Sequence, residues 1–359
     1  MRRFAFTFLA FIFTINFALA SGQESHDSEK FNPTETAMHH IKDSHQFDIW
    51  GHDVTLFLPV ILWTDNGLVV FSSKEFERDD LAKKPVEKGG QKFVKYHEKI
   101  YYASPSVNEE GSYIELEKGH PHNERPYDFS VTKNVFTLWL AIIILIVCGV
   151  TAGSFYKSKK YQGVPKGVAS VFEPLVAFIR DDIAIPTIGK KKYKKFMPYL
   201  LTVFFFIWLV NLIGLVPFFP FGSNLSGNIA FTMTLALITF VITQFSSNAN
   251  YWKHIFWTPG VPVVMKIVLA PIEFIGLFTK PFSLMIRLFA NITAGHVIVL
   301  SLISMIFIFK TYFVAPVSIV FVVFISLIEI LVTALQAYIF TMLSSLYFGM
   351  ATEEAHEEH

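Results

Sequence analysis

The chain has 359 residues, of which 52% are hydrophobic and only 16% charged, well below the roughly 25% charge of an average soluble domain. So apolar a chain needs lipid to face, and its net charge of +1 offers no basic surface for nucleic acid. A single cysteine, Cys148, inside an apolar run, excludes a disulfide framework.

Residues 1–20 read as a secretory signal: Arg2 and Arg3, an apolar run, then Ala18-Leu19-Ala20 with small residues placed for cleavage near Ser21. An uncleaved anchor is the alternative, disfavoured because the run is short for a span. Both readings export the segment beyond residue 20. Residues 21–130 hold short apolar runs, Val54–Leu62 and Gly67–Phe71, separated by the turn signal Asp65-Asn66-Gly67. A small β-rich extracytoplasmic domain is expected there. Its eight histidines, among them His39, His40, His120 and His122, match no metal-ligand spacing and read as solvated surface side chains, so no metal is expected.

Residues 131–350 carry the apolar signal. The first span, about 135–155, is uncharged throughout. Residues 156–195 then hold ten Lys or Arg against three acids, including Lys190-Lys-Lys-Tyr-Lys-Lys195, which makes this loop cytoplasmic and agrees with an exported N-terminus. Within it, Val171–Ile188 mixes apolar residues with Glu173, Arg180, Asp181 and Asp182, as an interfacial helix or a plain connector would. A second span, about 196–218, ends in Asn211-Leu-Ile-Gly-Leu-Val-Pro217, and a third, about 228–246, follows capping-type residues around Ser223–Asn228. From about 263 to 309 and again from 315 to 348 the apolar pattern far exceeds the roughly 20 residues of a straight span. These two segments are expected to form a strongly tilted hairpin joined near Lys310-Thr-Tyr-Phe313, with residues 351–359 as a cytoplasmic tail. The expected fold is an all-α polytopic membrane protein with five transmembrane helices plus the β-rich domain.

Inside the long hairpin stand polar residues that lipid should expel: Lys280, Ser283, Arg287, Asn291 and His296 in the first arm, Glu329 and Gln336 in the second. An arginine at mid-bilayer costs roughly 2.5–3.5 kcal/mol on insertion scales, so Arg287 calls for a partner or a wet cavity. Ser283, Arg287 and Asn291 form an i, i+4 ladder, with Lys280 seven residues back on the same side. His296 lies nine residues beyond Arg287, on nearly the opposite face, and Glu329 and Gln336, seven apart, share a face. For Asn291 and Gln336, interhelical hydrogen bonding stands beside a functional role. For His296 and Glu329, an ion pair holding helices in register stands beside a proton relay.

The run Pro281-Phe-Ser-Leu-Met-Ile-Arg-Leu-Phe-Ala-Asn-Ile-Thr-Ala-Gly-His296 resembles the signature of subunit a of F-type ATP synthases, of the bacterial type. Asn211–Pro217, the run Leu335-Gln-Ala-Tyr-Ile-Phe340 and the span order support the likeness over about residues 130–350, with an enlarged N-terminal region beyond it. The resemblance implies a proton-channel stator in the FO sector of the inner membrane, partnered by the c-ring, peripheral-stalk b subunits and lipid. It further implies H+ as transported ion, Arg287 as the essential charge facing a ring carboxylate, and His296 with Glu329 as relay. Ser283, Lys280, Asn291, Gln336 and Asn211 would be supporting polar groups. No cofactor or nucleotide site is expected, since no Gly-rich loop ending in Lys-Ser/Thr occurs. A proton-coupled secondary transporter built on His296 and Glu329 is the rival reading, without the internal repeat such folds carry.

Overall fold

The computed structural model describes residues 43–50, 54–108, 111–117, 120–157, 165–216, 220–257, 262–309 and 313–353. The expected signal segment, His39, His40, Pro217, the link at 310–312 and the tail beyond Glu353 lie outside the described residues.

The N-terminal region is β-rich. Its strands are β1 (Gln46–Trp50), β2 (Val54–Phe57), β3 (Pro59–Thr64), β4 (Gly67–Ser72), β5 (Val86–Lys88), β6 (Gln91–Tyr96), β7 (Lys99–Tyr102), β8 (Leu116–Glu117), β9 (His120–Pro121) and β10 (Tyr127–Asp128). They form antiparallel sheets in the orders β10-β3-β4 and β5-β6-β7 and the pairs β1-β2 and β8-β9. The β3–β4 hairpin pairs Thr64 with Gly67 across Asp65-Asn66, and Gly67 takes φ of 108°, which suits a residue without Cβ. Alternation sends Val60 and Leu62 of β3 and Val69 and Phe71 of β4 inward against Phe76, Phe93 and Ile100. The run Val54–Leu62, a single segment in the sequence, is divided at Leu58, whose N–H donates to the His45 carbonyl at 3.0 Å on the β1 side while its carbonyl accepts from Ser73 N–H at 3.1 Å on the β4 side.

The remainder is helical: α1 (Lys133–Lys157), α2 (Val168–Phe178), α3 (Ile185–Ile188), α4 (Tyr193–Leu215), α5 (Ile229–Phe245), α6 (Ala249–Phe256), α7 (Val263–Phe309) and α8 (Val314–Thr352). The first turn of α1 is capped by the N-terminal region: Asn134 N–H donates to Asp43 Oδ1 at 3.0 Å and Lys133 N–H to the Ser44 carbonyl at 2.9 Å. The expected interfacial segment is α2 continued through the π-helical turn Ile179–Ala184 into α3, with Ile179, Ile183 and Ala184 buried and Arg180, Asp181 and Asp182 exposed.

Among the described residues four helices, α1, α4, α7 and α8, are long and apolar enough to cross a membrane. A fifth crossing is reached if α5 and α6, bent by 104° where they meet, are one broken span. α5 has 17 residues, about 26 Å at 1.5 Å per residue, shorter than a 30 Å hydrocarbon core. Its N-cap is Asn228, whose side chain accepts from Ala230 N–H at 2.9 Å. Sequence periodicity does not reveal α6, because the Ser246-Ser247-Asn248 break reads simply as the end of a helix.

α7 and α8 pack antiparallel: Ser318 Oγ donates to the Leu302 carbonyl, and Glu329 lies against Gly295. The central core gathers Leu200, Val203 and Ile207 of α4, Leu284 and Leu288 of α7, and Ala337 and Phe340 of α8. The C-terminal end of α8 is held from three sides. Phe348 stacks on Phe196 of α4 at 4.7 Å, Ser345 and Thr187 hydroxyls lie 2.5 Å apart, and Gly349 passes against the Thr187 carbonyl. Its last carbonyls are satisfied by Lys192 Nζ on Thr352 at 2.7 Å and by Asn248 N–H on Ala351 at 2.9 Å.

Candidate functional site

Arg287 is half-buried near the middle of α7, one turn from half-buried Ser283 and one turn from Asn291, which is exposed on the outside of the bundle. Among the described residues no carboxylate lies within 4.0 Å of its guanidinium. Beside the exposed Asn291 amide, Ala294 one turn on is exposed as well, so the amide is a polar spot on an apolar surface. Lys280, seven residues back, places Nζ 5.7 Å from the Tyr347 ring of α8. Lys280 and Tyr347 line, with Thr239, Thr243, Gln244 and Tyr251, a cavity of about 10 Å³, close to the smallest space that admits one water. The buried Gln244 Oε1 has no hydrogen-bond partner among the described residues.

The second arm brings two further sites. The contacts Leu302–Ser318 and Gly295–Glu329 fix an antiparallel register, and continuing it two turns sets Gln336 level with Arg287. Gln336 is buried at 4% exposure. Glu329 is half-buried, and a Cβ at Gly295 would occupy the place of its Oε1, so the carboxyl is seated on the backbone beside His296. No ion pair of 4.0 Å or less joins His296 to Glu329. Asn211 sits elsewhere: buried on α4, it accepts from Ser226 Oγ at 2.5 Å, while Gly214 lets the Ser223 carbonyl approach to 3.1 Å from a Cβ position. These contacts pin the 223–227 link, which packs on α7.

Gly295 and Tyr347 escape a reading by charge and periodicity, and Glu273 is a charge within the apolar segment missing from the polar residues named from the sequence. Gly295 admits Glu329, and Gly in a helix interior costs up to about 1 kcal/mol, which is itself the signal that something approaches closely. Tyr347 and Glu273 lie within electrostatic reach of Arg287 and Lys280 respectively.

The β-rich region corrects one expectation. Of its described histidines, His97, His120 and His122 are exposed, but His45 is 3% exposed, with Nδ1 3.6 Å from Glu98 Oε2 and Nε2 4.0 Å from Asp128 Oδ2. Strand pairing of its neighbours buries it, which a count of histidines in a polar segment cannot register. Lys95 Nζ reaches Glu98 at 3.4 Å and Asp80 at 3.8 Å. Burial alone would raise Glu98, but the His45 hydrogen bond and the Lys95 charge outweigh it and hold the carboxyl at about 2. Burial raises Asp43 and Asp80. No group of three His, Cys, Asp or Glu among the described residues is arranged to hold a metal.

A family model described as ATP synthase A chain matches residues 135–349, from the first turn of α1 almost to the end of α8. The chain belongs to the ATP synthase A chain family. ATP synthase subunit a 2 of Chlorobaculum tepidum is 51% identical over 248 residues, covering 67% of this chain and 69% of that one. ATP synthase subunit a of Chloroherpeton thalassium is 50% identical over 238 residues, 65% and 69% of the two chains. The corresponding subunit of Myxococcus xanthus is 43% identical over 235 residues, 64% and 75%. A second model, Domain of unknown function (DUF8433), matches residues 36–129, the β-rich region. Membership in the subunit a family places the chain among multi-pass membrane proteins of the FO sector, serving ATP synthesis through proton transport.

Proposed function

We propose that the chain is the proton-channel stator of a rotary ATP synthase, with Arg287 as the fixed charge between two aqueous half-channels. It would work against the c-ring, braced by b subunits, in five crossings with the N-terminus outside and the C-terminus in the cytoplasm. The observation that carries the reading is Arg287: a half-buried guanidinium in an apolar helix, without a carboxylate among the described residues, beside an amide that faces out of the bundle.

A charge so placed needs a counter-charge, and the exposed side of Asn291 is where another chain would bring one. At about 4 Å and an effective dielectric near 20, attraction between a guanidinium and a carboxylate is on the order of 4 kcal/mol. That is roughly a thousandfold in the carboxyl's proton equilibrium, enough to discharge a proton arriving on a ring subunit. Guanidinium keeps its charge when desolvated, whereas ammonium can lose it, so lysine is a poor substitute. Glu329 and His296 would pass protons along one half-channel, and the cavity lined by Lys280, Tyr347 and Gln244 would belong to the other.

Arg287→Ala in the assembled complex tests this. ATP synthesis and ATP-driven proton pumping are both expected to vanish while the complex assembles. Retained pumping would overturn the assignment.

A further inference from the structure

The lysine run 190–195 is explained as a topological signal by its charge alone, but the fold does more with it than place it on one side. Lys191, Lys192 and Lys195 line a cleft of about 350 Å³ between the start of α4 and the α5–α6 bend, together with Phe196, Ser246, Asn248 and Thr352. Lys190 and Lys194, from the same run, do not line it. Lys192 is committed to the Thr352 carbonyl at 2.7 Å, while Lys191 and Lys195 are exposed, and Lys195 Nζ reaches Ser246 Oγ at 3.5 Å. The adjoining acid is Glu353, which is exposed.

The cleft opens where the spanning helix α4 begins, so its mouth is at headgroup depth, and its floor includes the buried apolar ring of Phe196. Cations and hydroxyl or amide donors around an apolar floor, at the level of the lipid phosphates, suit a phosphodiester with an acyl chain beside it. We infer that this cleft binds the headgroup of an anionic phospholipid. Lys191, Lys195 and Ser246 contact the phosphate at the mouth of the cleft, and the glycerol lies above its closed floor, where the Phe196 ring is packed on Phe348. The bound lipid fills the notch left by the bend at residues 246–248 and so stiffens the joint between α4, α6 and the end of α8.

The test uses the full chain in phosphatidylcholine mixed micelles, titrated with phosphatidylglycerol, with retained lipid counted by native mass spectrometry. Wild type is expected to retain one phosphatidylglycerol in preference to phosphatidylcholine. Near the membrane surface each lysine contributes roughly fivefold, so K191Q/K195Q should weaken retention about 25-fold. K190Q/K194Q, which removes equal charge from the same run outside the cleft, should change it little. Equal losses in the two pairs would show diffuse attraction and overturn the site, as would no preference for phosphatidylglycerol in wild type. Displacement by inorganic phosphate at the same concentration would mean a soluble anion and overturn the lipid assignment.

Discussion

The carboxyl of Glu329 on α8 rests on the backbone of Gly295 on α7, in the space that a side chain at 295 would take. A methyl group there would have to displace it. Ala would favour the helix by about 0.5–1 kcal/mol over Gly, whereas overpacking costs about 1–3 kcal/mol. The second effect wins, and it acts on the acid. Gly295→Ala is therefore expected to leave assembly intact and to lower ATP-driven proton pumping in membrane vesicles by up to about a hundredfold, the lower end of what one positioned proton-transfer group contributes. Unchanged pumping would show that the position of Glu329 is immaterial.

His296 and Glu329 are a base and an acid on facing helices: Glu329 lies against Gly295, the residue before His296, and the two are not ion-paired. If they relay protons, exchanging them, His296→Glu with Glu329→His, should cost less pumping than either single change. Independent structural roles would make the two losses add, and additive loss in a double-mutant cycle is the result against a shared function.

At the other end of α8, Gly349 passes against the Thr187 carbonyl, a backbone atom that cannot swing aside. Gly349→Ala should cost about 1–3 kcal/mol and lower the thermal midpoint of the detergent-solubilised chain. Gly276, with open space around its Cβ position, provides the control: Gly276→Ala should be neutral or slightly stabilising.

The β-rich region should lose stability in acid over a window set by Glu98. Glu98 is held at about 2 against an ordinary 4.5, a difference worth about 3 kcal/mol. Because its folded value is depressed, this contribution is fully present above about 4.5 and disappears as pH falls through about 2. Asp43 and Asp80, raised by burial, act in the opposite sense, lending stability at low pH that is lost as pH rises through their folded values. Limited proteolysis of the full chain across this range should show cleavage within the β-rich region rising steeply only below about pH 4.5. Glu98→Gln should flatten that dependence, and an unaltered profile would remove Glu98 from the account.

Much of the helical architecture is legible because lipid imposes a simple code. α7 runs Val263–Phe309 as one helix, because a mostly apolar segment with all its backbone bonds internal suits lipid, and Pro271 and Pro281 do not interrupt it. α6 is invisible for the converse reason: eight residues containing Lys253 and His254 have neither the length nor the hydropathy of a span, and only their packing of Tyr251 and Ile255 against Leu277 and Ala351 makes them a unit. Arg287 stands out because charge in lipid is expensive. Gly295 does not, because its importance lies in what approaches it. The burial of His45 depends on pairing between β1 and β2 and on Glu98, 53 residues away, a distance over which local patterning carries no information.

The fastening of α8 at its C-terminal end has a mechanical meaning. α7 and α8 present long apolar flanks to whatever slides past them, and such a helix alone would bend under a lateral force. Lys192, Asn248, Thr187 and Phe196 grip its final turns from three separate elements, while its other end lies against α7, with Ser318 on the Leu302 carbonyl. The beam is thus clamped at one end and supported at the other. On the proposed function, drag on its free flank would pass into α3, α4 and α6, and this anchorage would keep the distance between Arg287 and a moving carboxylate constant under load.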